Sequence, residues 1–377
     1  MAHLIYTTNY YYKKAHYRVN VTLSGRYLEK GYYMKYASLL FWALITNGAM
    51  ASEVDDYINE GIKLHDAGIY DKAAQKYKKA LEIEPNNSLA LYELTFSYMV
   101  SQNNDECIKV AKKGLSIESN LKNKFIITLG SCYSQLGETK EAIDAFEKGL
   151  AIDPTDSHLH LNIAVTLSNL QKDKEAISHL KEAIKYSNGY ASPFYLIAEI
   201  YRTTNYRIPA IYFYMQYVLL EPNTKRSQDA AKKIYFLLYQ GVNKKGNGDM
   251  NIALDPASPK DEGDFMTLDL ALSVAAVASV KEINKSVKTD AESYTAALTS
   301  FVKISKELDD KSLVSTFTWK YAANNMIALE NKDDFNTYSY ILASLAGVPG
   351  ATEWLNDNQV KIEKMSETIK TLVATKL

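Results

Sequence analysis

Residues 126–154 read IITLGSCYSQLGETKEAIDAFEKGLAIDP, and the pattern of this stretch returns along the chain every 34 residues. One step forward carries Gly130 to Ala164, and two steps carry Pro154 to Pro222. Small residues and a proline therefore return at constant spacing. A fixed period of this size is typical of architectures in which one supersecondary unit is repeated.

The period divides residues 54–224 into five copies, and each copy predicts two helices separated by a polar turn. A small residue at the eighth and at the twentieth position of a copy lets its two helices approach closely, and larger residues fill the remaining space. Proline after the second helix ends it, because proline has no N–H to donate. One copy cannot bury its apolar face alone, so we expect the copies to stack. The copies span 54–87, 88–121, 123–156, 157–190 and 191–224.

This pattern resembles the tetratricopeptide repeat. The first copy has the same kinds of residue at the pattern's positions, whereas the second copy is the most degenerate. The resemblance implies an all-α fold, in which a tetratricopeptide-repeat superhelix of about five helix-turn-helix repeats is followed by a C-terminal helical bundle. The first copy's pattern residues are Tyr57, Gly61, Leu64, Ala73, Tyr77, Ala80 and Pro85.

The resemblance also implies a binding site, because in this family the first helices of the repeats line a concave groove. Groove positions in the first two copies are apolar and aromatic, and they become more polar further along the chain. The expected ligand is a peptide or a partner protein. The residues expected to contact it are Ile58, Ile62, His65, Tyr92, Phe96, Met99, Ile127, Tyr195, Glu199 and Arg202. The alternative is that the C-terminal bundle covers the early part of this groove, which would make its residues core.

Residues 1–51 predict a leader that is removed from the mature protein. Met34 precedes a short apolar run over 36–45, and Ala49-Met50-Ala51 follows it. A positive start, a short apolar core and an Ala-x-Ala end are the parts of a secretory signal peptide. The run is shorter than the roughly 20 apolar residues that a membrane-spanning helix requires. An uncleaved membrane anchor is the alternative interpretation.

We predict a signal peptide over 34–51 that is cleaved after Ala51 and leaves a periplasmic or secreted protein without a membrane span. The leader contains six Lys or Arg residues and one Glu, so its removal changes the formal net charge from −1 to −6. Such a surface has no basic footprint for nucleic acid. We therefore expect no nucleic-acid partner, and the charge does not indicate an oligomeric state.

Two cysteines, Cys107 and Cys132, lie on helices that the repeat pattern makes antiparallel neighbours. Both are at similar distances from the connecting turn, so they are predicted to lie opposite each other. In an oxidising compartment they would form a disulfide. The alternative is a pair of buried free thiols, because the side-chain directions are not determined by the sequence.

The chain after the repeats predicts three further segments. An end helix completes a repeat array over 52–240, a Gly- and Pro-rich linker follows over 241–264, and a C-terminal helical domain occupies 265–377. The first C-terminal helix is predicted to be the central core helix of the bundle. This tail resembles the extension of uncharacterised secreted tetratricopeptide-repeat proteins of Bacteroidetes-type bacteria, which implies no particular activity. Helices are predicted at Met266–Asn284, Ala291–Leu308, Ser312–Glu330, Asp333–Ala346 and Glu353–Leu372.

The sequence contains no catalytic motif of the kinds that are recognisable from spacing. His-Glu-x-x-His, Cys-x-x-Cys and phosphate-binding glycine loops do not occur. His158 and His160 are two residues apart on a predicted helix and so point in different directions. We therefore predict that the chain is not an enzyme and has neither a metal site nor a cofactor.

Three functional hypotheses follow. The first is an exported interaction scaffold that binds a peptide or protein in the repeat groove. The second is an accessory subunit of a cell-envelope or nutrient-uptake complex that contacts its partner through the C-terminal bundle. The third is an enzyme whose site is a polar cleft between array and bundle, with the 241–263 loop as its lid.

Overall fold

The computed structural model describes residues 53–187, 189–244, 250–252, 263–284, 289–308 and 311–374, and most of them are α-helical. The predicted leader lies outside this part of the chain, as does most of the predicted linker. The chain forms two compact units, which we call unit 1 (Met1–Ile152) and unit 2 (Asp153–Leu377).

Unit 1 contains the helices of the first three repeats, and each repeat is a pair of packed helices. Their bounds follow the predicted copies, so the helix-turn-helix repeats are confirmed here. The pairs are α1 (53–66) with α2 (Tyr70–Ile83), α3 (Ser88–Val100) with α4 (Asn104–Leu115), and α5 (Lys122–Leu136) with α6 (Thr139–Leu150).

The small residues of the repeat lie where the two helices of a pair are closest. A Cβ atom added to Gly61 would overlap the ring of Tyr77, and one added to Gly130 would overlap the ring of Phe146. These aromatic residues occupy the twenty-fourth position of their copies. Ala142, at the twentieth position, is completely buried. In repeats one and three, the close pairing of the helices therefore depends on a glycine facing a large ring.

The fifteenth position of all five copies has a positive φ angle, which the repeat pattern alone did not predict. This residue forms the turn between the two helices of a repeat. The values range from 59° to 78°, in the left-handed region that glycine adopts without strain. Three of the five residues are not glycine, which costs roughly 1 kcal/mol at each. The residues are Gly68, Gln102, Gly137, Gln171 and Asn205.

Unit 2 begins with repeats four and five, continues with the end helix, and includes the C-terminal helices. The first two pairs again match the predicted copies. They are α7 (Ser157–Asn169) with α8 (Asp173–Lys185) and α9 (Ser192–Thr203) with α10 (Arg207–Leu220), and α11 (Lys225–Tyr239) follows.

Helix α10 is the central helix of unit 2, because every residue from Arg207 to Leu219 is buried. Its neighbours are helices of the array on one side and C-terminal helices on the other. Tyr212 donates a hydrogen bond to Ser305 Oγ at 2.6 Å, and Tyr338 donates to the carbonyl of Met215 at 2.5 Å. Repeats four and five are thus packed into one compact unit with the C-terminal helices. The boundary that the sequence predicted between the repeat array and the C-terminal domain instead lay in the linker over 241–264.

Of the predicted linker, the structure describes two short antiparallel strands and the residues beside them. Strand β1 (Val242–Lys244) pairs with β2 (Met250–Ile252), and Asn243 is opposite Asn251. A loop without secondary structure was expected here, so these strands are a correction. Glycine-rich composition is compatible with a hairpin as well as with a loop.

The C-terminal helices agree with the predictions at the first, second and fourth positions and differ at the other two. The predicted helix over Ser312–Glu330 is divided into α14 and a second helix that contains a π-helical turn near its start, and the predicted last helix is divided at Asn358. The helices are α12 (Met266–Asn284), α13 (Asp290–Glu307), α14 (Lys311–Val314), the π-helical turn Trp319–Ala323 with α15 (Asn324–Asn331), α16 (Phe335–Ala346), α17 (Ala351–Asp357) and α18 (Gln359–Ala374).

Helix α12 is not the central helix that the sequence predicted. Met266, Leu270 and Val274 are 54%, 45% and 53% exposed, and they form a stripe along one side of the helix. Its other side is buried through residues such as Leu268 and Leu272. An almost continuous apolar sequence does not distinguish a central helix from a peripheral one, and the larger aromatic residues of α10 occupy the centre instead.

Candidate functional site

Three aromatic rings on the first helices of repeats one and two form a continuous stack, which we call the aromatic row. His65 of α1 stacks on Phe96 of α3 with 5.0 Å between ring centroids, and Phe96 stacks on Tyr92 at 6.1 Å. The row is extended by Lys124 of α5, whose ammonium lies 5.3 Å from the centroid of the Tyr92 ring. The predicted groove residues His65, Tyr92 and Phe96 are therefore brought together.

The helices that carry the row are positioned by local contacts. Asn87 begins α3 as its N-cap, and its side-chain oxygen accepts a hydrogen bond from the backbone N–H of Ala90 at 3.0 Å. His65 Nδ1 lies 2.8 Å from Ser97 Oγ, which ties α1 to α3. Burial lowers the pKa of His65 more than the charge of Asp66 raises it, so the ring is neutral near pH 7.

The remaining predicted groove residues of unit 1 differ in how far their side chains are exposed. Ile58 is 3% exposed and Met99 is 2% exposed, and both belong to the hydrophobic core of the unit. This placement corrects the expectation that they line a surface. Ile62 and Ile127 are half-buried. Within the row and its extension, His65 and Phe96 are half-buried and Lys124 is exposed, whereas Tyr92 is buried.

A buried carboxyl group lies one residue from Tyr92, and its environment was not predicted from the sequence. Glu93 is 7% exposed. Burial raises the pKa of Glu93 to about 7; the charge of Lys124 opposes this shift and that of Asp66 adds to it. The group therefore changes its protonation state near neutral pH.

The predicted groove residues of repeat five lie in unit 2, where they form a network of polar side chains. Tyr195 donates a hydrogen bond to Asp229 Oδ2 at 2.6 Å, and Arg202 forms an ion pair with Glu199 at 3.1 Å. Lys233 of α11 also forms an ion pair with Glu199 and donates to the Tyr195 hydroxyl at 2.9 Å.

Glu199 is the acceptor at the centre of this network, because Tyr214 also donates to it, at 2.5 Å. Burial by itself would raise the pKa of Glu199, but donation from Lys233, Tyr214 and Arg202 lowers it. The carboxylate is thus ionised and fully engaged inside the protein. Asp229 and Lys233 lie on the end helix α11, so this network joins the end helix to repeat five.

Cys107 and Cys132 form a disulfide between α4 and α5, with 6.5 Å between their Cα atoms. The sequence left open a disulfide and a pair of buried free thiols, and the structure contains the disulfide. Both residues are completely buried in the core of unit 1.

Two histidines of repeat four face each other across the helix pair. His160 Nδ1 lies 3.1 Å from His179 Nδ1, and His160 Nε2 lies 3.1 Å from the carbonyl oxygen of Pro154. His158 instead stacks on Tyr190. The sequence argument compared only His158 with His160, so the contact with His179 was not predicted. Within the described ranges there is no group of three or more His, Cys, Asp or Glu residues arranged to bind a metal ion.

A pocket of about 540 Å³ lies between repeats four and five and the C-terminal helices of unit 2. Among the described residues of its wall there is no Asp, Glu, His or Cys, so these residues supply no general base and no metal ligand of these types. This is the region in which the third hypothesis placed a polar active-site cleft. Among the described residues, the pocket wall contains no catalytic set.

No helix in the described part of the chain is long and apolar enough to cross a membrane. This finding does not extend to the candidate signal peptide, because that segment precedes the described residues.

Models of the tetratricopeptide repeat match residues 127–156 and residues 157–190. The second match has the same bounds as the fourth predicted copy. The first begins within α5 and ends where the third copy ends. Two consecutive copies that were defined by spacing alone are thus recognised independently.

Similar proteins match shorter parts of the chain. Small glutamine-rich tetratricopeptide repeat-containing protein 2 of Mycosarcoma maydis is 26% identical over 117 residues, which are 31% of this chain and 33% of that protein. Protein O-mannosyl-transferase TMTC3 of Homo sapiens is 27% identical over 159 residues, 41% of this chain and 17% of that protein. The chain therefore spans a third or less of the length of these relatives.

Among solved structures, TTC0263, a thermophilic tetratricopeptide-repeat protein of Thermus thermophilus, is similar with a TM-score of 0.43 and 18% sequence identity. The similarity covers 49% of this chain and 98% of that one. The repeat matches together with the helix pairs lead to one conclusion: the chain contains tetratricopeptide repeats.

Proposed function

We propose that the chain is an exported interaction scaffold that binds an extended peptide segment of a partner protein on the first-helix face of repeats one to three. The observation that carries this proposal is the aromatic row with Lys124 at its end. It combines accessible ring surface with a positive charge on one face of a rigid scaffold. We propose no catalytic activity for the chain.

The chemistry of the row favours a peptide that has an apolar side chain next to an acidic one. Phe96 is half-buried, so part of its ring is available for contact. Aromatic residues are prominent among those that contribute most to protein interfaces, because they bury a large area with little loss of side-chain entropy. Lys124 is exposed, and its positive charge attracts a carboxylate of the peptide that lies next to the apolar side chain bound by the row.

Two features support export. The signal-peptide pattern over 34–51 is a property of the sequence, and the Cys107–Cys132 disulfide is typical of proteins in oxidising compartments. Together they favour a periplasmic or secreted location over a reducing one.

Photo-crosslinking tests the binding face. A photoreactive phenylalanine analogue at Phe96 is expected to capture a partner protein in cells, because part of the Phe96 ring is accessible. The same analogue at Leu136, which is 42% exposed on α5 but outside the row, serves as the control. Equal capture of the same proteins from both positions would contradict the proposed face.

Export is tested on the purified protein. N-terminal sequencing is expected to begin Ser52-Glu53-Val54-Asp55, and alkylation of the unfolded protein without reductant is expected to leave both cysteines unmodified. A cytoplasmic product that retains residues 1–51, or that gains two alkyl groups, would exclude this part of the proposal.

A second candidate function is favoured by the exposed stripe of Met266, Leu270 and Val274 on α12. An apolar stripe of this kind on a protein surface usually marks an interaction site. The stripe supports a role of the chain as an accessory subunit of an envelope or nutrient-uptake complex. In this role, the chain would contact its partner through the C-terminal helices. Replacement of Leu270 by Asp would abolish co-purification of the complex if this function is correct, and replacement of Phe96 by Ala would not.

A further inference from the structure

The pocket of about 540 Å³ in unit 2 has the size and the construction of a small-molecule site. Its volume lies within the roughly 300–1,000 Å³ of typical ligand pockets. Ile184, Phe194 and Leu219 contribute buried apolar surface to its wall. Such sites are mainly apolar and contain a few polar groups that orient the ligand.

A buried pair of amides supplies the polar groups. Asn325 Nδ2 donates a hydrogen bond to Gln216 Oε1 at 2.8 Å, and these residues are 7% and 4% exposed. The bond fixes the orientation of both amides at the wall of the pocket. They join α10 to α15, next to the π-helical turn.

The π-helical turn Trp319–Ala323 contributes Lys320 and Tyr321 to the pocket wall. π-helical turns occur frequently at functional sites, where the inserted residue changes the direction of nearby side chains. The Tyr321 ring is held by Phe317 with 4.3 Å between centroids, and the ammonium of Lys320 lies 5.1 Å from the Tyr321 ring.

The charged residues of the described pocket wall are both positive. They are Lys185 and Lys320, and none of the described wall residues is acidic, although the whole chain has a formal net charge of −1. Lys185 forms an exposed ion pair with Glu182 at 3.3 Å, which contributes little in water. Among the described residues, Lys320 has no carboxylate within ion-pair distance.

We infer that this pocket binds a small carboxylate with an apolar body. The apolar wall accepts the apolar body of the ligand. The amide pair hydrogen-bonds its carboxylate, and the two lysines neutralise the charge of that carboxylate. Two sources have this chemistry, a free aliphatic acid and the C-terminal residue of a peptide. The site is separate from the aromatic row, which lies in unit 1, so its failure would not affect the proposed scaffold function.

Ligand-observed NMR with the full chain tests the inference. Octanoate is expected to show saturation transfer from the protein, whereas octanol and octylammonium, which have the same apolar chain, are expected to bind at least several-fold more weakly. A short peptide that ends in a free leucine carboxylate, compared with its C-terminal amide, distinguishes the second source. Equal binding of octanoate, octanol and octylammonium would overturn the inference, as would no binding of either carboxylate.

Variants locate the binding. Lys185→Gln and Lys320→Gln are each expected to raise the dissociation constant for octanoate by roughly two- to five-fold, the range of exposed charge pairs. Lys174→Gln, an exposed residue of α8 outside the pocket wall, is expected to leave it unchanged. Ala328→Trp, which fills the pocket, is expected to abolish binding, and circular dichroism checks its fold. Unchanged octanoate binding in the Lys185→Gln/Lys320→Gln double variant would overturn the assignment.

Discussion

Phe96 packs within the aromatic row and is also partly accessible at its surface. Its ring stacks between His65 and Tyr92, but it remains half-buried, whereas Tyr92 is only 7% exposed. A residue of this kind contributes to a surface more than to a core. Its replacement therefore separates the two roles.

We expect Phe96→Ala to lower the free energy of unfolding by about 1–2 kcal/mol, less than the roughly 3–5 kcal/mol of a fully buried phenylalanine. Binding of a captured partner is expected to weaken by about 1–3 kcal/mol. Chemical denaturation and calorimetric titration measure the two effects, with Leu136→Ala as the exposed control. A loss of stability equal to that of a buried phenylalanine would identify Phe96 as a core residue instead.

Glu93 provides a test that depends on pH. Because burial raises its pKa in the folded state to about 7, above the ordinary value of 4.5, the folded protein binds this proton more tightly than the unfolded chain does. The stabilisation is complete below about pH 4.5 and is lost as the pH rises to about 7, with a total on the order of 3 kcal/mol.

Glu93→Gln, which imitates the protonated form, is therefore expected to be more stable than the wild type at pH 8 and to reduce the fall in stability between pH 5 and pH 8. Urea denaturation at a series of pH values measures the difference between the two proteins. Parallel curves for wild type and variant would show that Glu93 does not titrate in this range.

At the scale of the element, the turn between the helices of a repeat is a recurrent source of strain. Gln171 has a φ angle of 59° between α7 and α8, which places its Cβ atom close to backbone. We expect Gln171→Gly to raise the free energy of unfolding by about 0.5–1 kcal/mol, because glycine adopts this conformation without a steric cost. Thermal denaturation measures the change. Gln171→Ala retains the Cβ atom and should show no gain, and an equal gain from alanine would refute this explanation.

Arg207 joins three elements at the first turn of α10. Its guanidinium donates to the carbonyls of Leu237 and Leu238, in the last turn of α11, and to Asp269 and Ser273 of α12 at 2.9 Å and 2.8 Å. Arg207 is 7% exposed and Asp269 is 8% exposed, so the ion pair is buried.

We expect Arg207→Met to cost roughly 3–5 kcal/mol of stability, since it leaves the Asp269 carboxylate buried without its cation. The double variant Arg207→Met/Asp269→Leu should recover a large part of this loss, because it removes both charges. Guanidinium denaturation of the single and double variants measures the coupling. Additive losses would show that the two side chains do not interact.

At the scale of the whole molecule, unit 2 depends on contacts between the repeats and the C-terminal helices. A fragment 153–240 retains repeats four and five and the end helix, but it loses the partners of Tyr212 and Met215 on α13 and α16. The apolar surface of α10 would then be exposed. We expect this fragment to aggregate or to lack a cooperative melt, whereas 153–374 should fold. Size-exclusion chromatography and thermal circular dichroism compare them, and a monomeric, cooperatively melting 153–240 would contradict this dependence.

The candidate site was predictable in part. The repeat pattern grouped His65, Tyr92 and Phe96, because equivalent positions on successive first helices face the same way. It did not separate the half-buried His65 and Phe96 from Tyr92, Ile58 and Met99, which the packing of neighbouring helices buries. The burial of a carboxyl group beside Tyr92 was not predicted, since an isolated carboxylate within an apolar helix gives no signal of its final environment. The predicted leader and most of the predicted linker lie outside the described residues, and they stay predictions.

The sequence by itself determined the helix pairs of the repeats. The spacing of small residues and the proline after the second helix are local features, and Gly61 and Gly130 lie against the large rings that the period predicted. Only the tertiary structure decided that α10 is the central helix of unit 2 while α12 keeps one side exposed. It also decided which oppositely charged side chains Arg207, Glu199 and Lys233 contact. These outcomes depend on side chains that are distant in the sequence, because burial and ion pairing are properties of the environment that other helices create.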